Sequence, residues 1–454
     1  TPALIAIDQE GGVVSRLKGD CAVVPSAMCV SASGDVQNAY RAGKLTGEEL
    51  SALGVNFDLA PDLDVNSNRQ NVVIGVRSYG EAPQTVADYG VAMSRGLQAG
   101  GVLSCGKHFP GHGDTAVDSH LGLPLVDKSL DALEQCELIP FRAAIDAGID
   151  AIMTTHILFP QLEKEKVPAT MSRRIVTGLL RGEMSFTGLV TSDCMEMQAV
   201  QKFFGSVNGV LAAMNAGVDL ILLSHTTLLS GEAAKAAAEA LQSGKLDRKE
   251  MEESVDRILA AKAKLAAVPA AAFDAEQAAA LNDKLLRATI TEVHVPKAGR
   301  PNVGGHPLCL GCQVYRTGLV GNVVDDVQQS FPVMMAKALG GDGFTTPIDP
   351  SEDEIYEWVR RAESYTSIVI GTYNGHLHPQ QLEMVKALAQ NSGKPVTVVA
   401  LRNPYDLFPL PESVYTLAAY EYTARSTAAV ADVLLGRHAA TGRLPIATPE
   451  QEAQ

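Results

Sequence analysis

One pattern governs the first half of the chain. A short apolar run ends in polar, chemically capable residues, and a helix-like stretch follows. Ala3 to Ile7 runs into Asp8-Gln9-Glu10, Asn56 to Ala60 into Pro61-Asp62 and Asp64, and Gly101 to Gly106 into Lys107-His108. Ala151 to Thr155 runs into His156, Gly188 to Ser192 into Asp193, and Asp219 to Ser224 into His225. Helical segments lie between them, as at Pro83 to Ala99, Ser129 to Ala147 and Val207 to Ala216. Alternating strands and helices predict a parallel sheet. Functional groups at the ends of many different strands point to a barrel. A doubly wound sheet would gather them at one switch point, often beside a Gly-rich phosphate loop. No such loop follows a strand here, so the expected fold is α/β with a TIM-type (β/α)8 barrel. A closed barrel needs more strands than these six, so its first strand is expected to lie upstream of Thr1.

The run Met251 to Ala266 reads as the helix that closes the barrel, giving a catalytic domain over 1–268. Residues 269–307 read as a helical and Gly/Pro-rich linker, with Pro296 to Pro307 its most loop-like part. Strand signals at Ser367 to Gly371 and Pro395 to Leu401 follow, with helices at Glu352 to Ala362, Pro379 to Gln390 and Ser426 to Leu435. They predict a smaller α/β sandwich domain over 308–454.

Composition excludes several functions. Of 454 residues, 37 are Lys or Arg and 52 are Asp or Glu, a formal charge of −15. A nucleic-acid binder needs a basic surface to replace phosphate counterions, so no nucleic-acid partner is expected. With 46% hydrophobic residues the chain can build a large core, and disorder as a whole is excluded. No apolar run has the length of a membrane span. Seven cysteines, an odd number, read as free thiols rather than a disulfide framework. That leans toward the cytoplasm, while the N-terminus leaves export open.

The densest chemistry lies in Lys107-His108-Phe109-Pro110-Gly111-His112-Gly113-Asp114-Thr115, followed by Asp118-Ser119-His120 and Leu123-Pro124. Zinc ligation by His108, His112 and His120 is disfavoured. Pro110, Gly111 and Gly113 prevent the helix that would align the first two, and H-E-x-x-H is absent. Asp118 and His120 suit an acid/base pair in which a carboxylate orients an imidazole. They equally suit a loop histidine bonded to its neighbour. Asp193 follows an apolar strand; it is either a nucleophile facing a barrel mouth or a helix N-cap.

These segments together resemble family 3 glycoside hydrolases, in particular the bacterial two-domain β-N-acetylglucosaminidases. The family's K-H-F-P-G-H-G-D-T, D-S-H and L-P signature stands intact from Lys107 to Pro124. Asp8-Gln9-Glu10-Gly11-Gly12 with Arg16, Ala60-Pro61 through Asp64, Gly75 through Gly80, and Ser192-Asp193 with Met197 match further segments in order. Val13 departs from the pattern, where a basic residue is expected after Gly11-Gly12.

The resemblance implies a retaining exo-hydrolase of terminal β-linked N-acetylglucosamine, from muropeptides or chito-oligosaccharides, with no cofactor and no metal. It implies Asp193 as nucleophile, His120 as general acid/base and Asp118 as its orienting carboxylate. Asp8, Arg16, Arg77, Lys107 and His108 would bind the sugar. A phosphorylase of the same family and a catalytically silent sugar-binding protein are the alternatives. Cys309-Leu310-Gly311-Cys312 has redox- or metal-like spacing without a second pair, and His376 and His378 read as solvent-facing.

Overall fold

The computed structural model describes residues 3–17, 21–115, 123–266, 273–313 and 326–452. By internal contacts the chain forms two units. One comprises Thr1–Glu10, Ser15–Ala22 and Ala39–Ala275; the other comprises Gly11–Val14, Val23–Asn38 and Glu276–Gln454.

The first unit is a curled, all-parallel sheet in the order β1-β2-β3-β4-β5. Its strands are β1 (Ala6–Ile7), β2 (Phe57–Asp58), β3 (Leu103–Phe109), β4 (Ala151–Thr154) and β5 (Leu189–Ser192). Register is set by pairs such as Phe57 with Leu103, Cys105 with Ala151 and Ile152 with Val190. The sixth expected strand contributes one parallel bridge, Thr191 with Leu220, and the Met195 N–H donates to the Leu222 carbonyl. This is the TIM-barrel type of arrangement, followed in the chain by an α/β sandwich.

Alternation along the strands divides the apolar side chains between two faces. Phe57, Leu59, Leu103, Cys105, Ala151, Met153 and Leu189 form one cluster, against which Ile258, Ala261 and Leu265 of the helix Arg248–Ala266 pack. Leu63, Phe109, Ile152 and Val190 belong to a separate cluster with Leu138, Phe141 and Val176 of the flanking helices. Helices Val36–Ala52 and Pro83–Ala99 approach so closely that a Cβ on Gly43 would lie 2.3 Å from the Met93 carbonyl oxygen. Only glycine permits that approach.

The second unit has a six-stranded sheet in the order β6-β11-β10-β9-β7-β8. The strands are β6 (Thr291–His294), β7 (Leu308–Cys312), β8 (Asp342–Thr346), β9 (Ile368–Thr372), β10 (Val396–Ala400) and β11 (Tyr415–Ala418). All are parallel except β6, which runs antiparallel to β11. The stretch read as a linker thus carries the helix Ala275–Thr289 and the edge strand β6. Cys309 and Cys312 lie on the fully buried β7 as free thiols within one apolar cluster. Their spacing therefore does not make a paired-thiol site. His376 turns inward, 3.0 Å from the buried Asp406 carboxylate, because both its ring Nδ1 and its backbone N–H meet that group. No helix among the described residues is long and apolar enough to cross a membrane.

Glu421 is buried in this unit, and burial pushes its carboxyl up from 4.5 to about 7, against the Ser26 N–H and the nearby Arg425. The folded state thus holds a proton that the unfolded chain releases, and stability falls as pH rises from about 4.5 to 7. Glu421→Gln removes that loss. It is expected to leave stability unchanged near pH 4.5 and to raise it by about 3 kcal/mol above pH 7. Denaturation midpoints of both proteins across pH 4.5–8 check this; a pH-independent difference contradicts it.

Candidate active site

The polar residues converge at the carboxyl ends of β1 to β5. Asp8 and Glu10 follow β1, and alternation along extended backbone puts both on one side while Gln9 points away to Ser15. Lys107 and His108 belong to β3, which continues past β2 through a bridge between Asp62 and Lys107. Arg77 ends the short turn Gly75–Arg77. The Ala60-Pro61, Lys107-His108 and Phe109-Pro110 peptide bonds are cis.

A chain of ion pairs joins these groups. The Lys107 ammonium donates to Asp8 Oδ1 at 2.8 Å and lies 2.7 Å from Glu10 Oε1. Arg77 grips Glu10 with two N–H donors, Nε to Oε2 at 2.8 Å and Nη2 to Oε1 at 2.7 Å. Burial would raise the Glu10 carboxyl, but Arg77 and Lys107 outweigh it and hold Glu10 well below the carboxylate range. Arg16, half exposed, stands 3.7 Å from Asp8 at the outer side of the group.

His108 is fixed at both ring nitrogens. Nδ1 lies 2.7 Å from Asp64 Oδ2, and Nε2 lies 3.4 Å from Arg77 Nη2. Arginine can only donate, so Nε2 accepts and Nδ1–H donates to Asp64. Asp64 also accepts the His112 N–H at 2.6 Å. Burial would raise Asp64, but His108 and His112 hold it low. His112, buried beside His108, is pushed down to about 4 and is neutral at pH 7. Gly113 is obligatory in this loop, since a Cβ there would lie 1.7 Å from the Val65 carbonyl oxygen.

Asp62, Asp64 and His108 bring three potential metal-ligand atoms within 4.8 Å of one another. The arrangement does not suit a cation. Asp64 Oδ2 is engaged by His108, and the Arg77 guanidinium stands 3.5 Å from Asp62 Oδ2. Burial and the adjacent Asp64 push Asp62 well above the carboxylate range, which favours its neutral form.

Asp193 directly follows β5 and caps no helix; the next one begins at Gln198. Its Oδ1 accepts the Cys194 N–H at 2.6 Å. Burial would raise its carboxyl, but His156, His108, the Cys194 amide and Lys107 lower it, so it is ionised at neutral pH. His156 holds the turn behind it: Nε2 meets the Cys194 carbonyl at 3.1 Å and Nδ1 meets Thr170 Oγ1 at 3.0 Å. Burial pushes His156 down. A carbonyl can only accept, so Nε2–H donates to Cys194, while the Thr170 hydroxyl donates to the Thr155 carbonyl at 2.9 Å.

Asp8, Arg77, Lys107 and His108 therefore stand together, with Arg16 beside Asp8. Asp118 and His120 lie outside the described residues. Glu10, Asp64 and His156 tie the cluster together. The i, i+2 relation of Asp8 to Glu10 was the available sign for the first; nothing in the local sequence pairs Asp64 with His108.

An ionised carboxylate beside a cluster of buried charged side chains suits cleavage of a glycosidic bond, whose transition state carries positive charge at the anomeric carbon. The fold and the site define a glycoside hydrolase. Comparison with known proteins supplies the family. The glycosyl hydrolase family 3 N terminal domain matches residues 1–261 and the family's C-terminal domain matches residues 351–454. Beta-hexosaminidase A of Pseudoalteromonas piscicida is 33% identical over 509 aligned residues, covering 98% of this chain and 83% of that protein. The solved family 3 beta-N-acetylglucosaminidase of Paenibacillus sp. str. FPU-7 superposes with a TM-score of 0.89 at 38% identity, covering 98% of this chain and 86% of that one. A beta-glucoside phosphorylase has a TM-score of 0.82 at 24% identity, covering 98% and 84%, a likeness of fold alone. The chain belongs to glycoside hydrolase family 3.

Proposed function

We propose that this chain is a retaining exo-β-N-acetylglucosaminidase that removes terminal β-linked N-acetylglucosamine from muropeptides or chito-oligosaccharides. The observation that carries the reading is Asp193, a carboxylate that directly follows β5, accepts the Cys194 N–H at 2.6 Å and lies in the field of His108 and His156. Asp193 attacks the anomeric carbon as His120 protonates the departing glycosidic oxygen, giving a glycosyl ester of Asp193. Water then attacks the same carbon, His120 takes its proton, and the Asp193 carboxylate is released. Asp118 orients the His120 ring through both steps. Two carboxyl groups about 5–5.5 Å apart usually perform retaining hydrolysis; here a histidine replaces one of them. Asp8, Arg16, Arg77, Lys107 and His108 bind the sugar.

Water rather than phosphate as the acceptor is favoured by the state of the cations. Lys107 and Arg77 are already paired with Asp8 and Glu10. An incoming phosphate would meet compensated charge. Release of chromophore from an aryl β-N-acetylglucosaminide, with and without inorganic phosphate, tests the assignment. Phosphate-independent turnover is expected. Turnover that requires phosphate and yields the sugar 1-phosphate would replace the hydrolase with a phosphorylase, and no turnover in either buffer would overturn both.

A further inference from the structure

Glu10 stands between the two cations of the site. Both of its oxygens are taken by Arg77 at 2.7–2.8 Å, and Oε1 also faces the Lys107 ammonium at 2.7 Å. Its side chain is 6% exposed, against 35% for Asp8. Among the described residues, the second acidic anchor of each cation is more distant or more exposed. Arg77's other acidic neighbour, Asp62, is 3.5 Å away, and its facing oxygen Oδ2 has no hydrogen-bond partner. Lys107's other anchor is the more exposed Asp8.

We infer that Glu10 is a positioning residue for sugar binding. It fixes Lys107 and Arg77 in their binding directions before the ligand arrives. This rests on the proposed function for the identity of the ligand. A lysine ammonium carries three donors on a flexible four-carbon stem. With two donors spent on Asp8 and Glu10, the third remains for a sugar hydroxyl beside an Asp8 oxygen. A donor and an acceptor side by side match a pair of neighbouring pyranose hydroxyls. The same carboxylate holds the Arg77 fork against His108 Nε2. Ordering these side chains in advance removes an entropic cost from the binding step.

Glu10→Gln keeps an acceptor but replaces one oxygen with a donor that opposes the guanidinium. Glu10→Asp keeps the charge and shortens the reach, so it cannot span both cations. For both variants the expected result with the aryl β-N-acetylglucosaminide is a rise in KM of about tenfold or more, with kcat changed by less than about threefold. A purely structural role would lower the folded fraction, hence apparent kcat, and leave the KM of the remaining molecules unchanged; that result overturns the inference. Crystal structures of the two variants provide a readout without substrate. Displacement of the Lys107 and Arg77 side chains supports positioning, and unmoved side chains overturn it. Should the parent protein release no chromophore, the functional reading fails, and these structures alone decide the role of Glu10.

Discussion

Asp193→Ala is expected to lower kcat on the order of 10⁴-fold while leaving the protein folded. The side chain accepts one local hydrogen bond, from Cys194 N–H. The turn keeps its other ties, Asp193 N–H to the Thr154 carbonyl and His156 to the Cys194 carbonyl. Chemistry and structure are therefore separable at this position. On the proposed mechanism the carboxylate supplies both the bond to the anomeric carbon and the negative charge that the oxocarbenium-like transition state needs. Azide, a small external nucleophile, should restore part of the turnover in the alanine variant and give the α-glycosyl azide, because the covalent step on the protein is lost. Turnover within about tenfold of the parent in Asp193→Ala would remove Asp193 from the mechanism.

Asp219→Ala is expected to destabilise the first unit by about 3–5 kcal/mol without altering KM. Asp219 has a fully buried side chain. Its Oδ2 accepts from Arg181 Nη2 at 2.6 Å and from Val190 N–H at 2.9 Å. Its Oδ1 accepts from Ser254 Oγ at 2.8 Å and from Arg257 Nε and Nη2 at 3.0 and 2.9 Å. One carboxylate thus joins β5, the helical turn Arg174–Glu183 and the helix Arg248–Ala266. Its loss leaves two guanidinium groups beside an apolar interior without their counter-ion. It bonds near the start of β5, whereas Asp193 follows the end of that strand, so substrate affinity should be untouched. Denaturant midpoints and KM measured together check the prediction; a loss below about 1 kcal/mol would place the pair among weak surface contacts.

The sequence made the barrel legible because its strands end in residues too polar to be buried without purpose. Pro83 at a helix start and the small residues after it marked Pro83–Ala99 to the residue. Ser129 to Ala147 reads as one helix but divides into Leu130–Glu134 and Leu138–Asp146. The cause is Pro140, which has no N–H for an interior helical bond and is accommodated in the first turn of the second piece. β7 was obscured by its own composition, since Cys309 and Cys312 draw attention as a spacing while their backbone forms a buried strand. The helix Val36–Ala52 was not anticipated; its Gly43 and Gly47 are weak helix formers that serve as points of close approach. In the site, Asp8, Arg77, Lys107 and His108 were readable as motif members. Their pairing was not, for it depends on contacts such as Lys107 with Asp8, 99 positions apart.

The membership of residues 23–38 in the second unit sets a condition on biosynthesis. Cys29 Sγ bonds to Thr289 Oγ1, the Asn282 amide donates to the Val23 carbonyl, and Arg443 N–H donates to the Ala32 carbonyl. The helix Ala27–Ala32, with Met28, Cys29 and Val30 on its buried side, leaves the ribosome long before those partners exist. At about 5–20 residues per second, Arg443 follows Ala32 by roughly 20–80 s. Throughout that interval this buried helix has no native place to go. A growing polypeptide of this design can complete its second unit only when synthesis has passed Arg443, whereas a chain with two sequential domains can finish each one as it emerges.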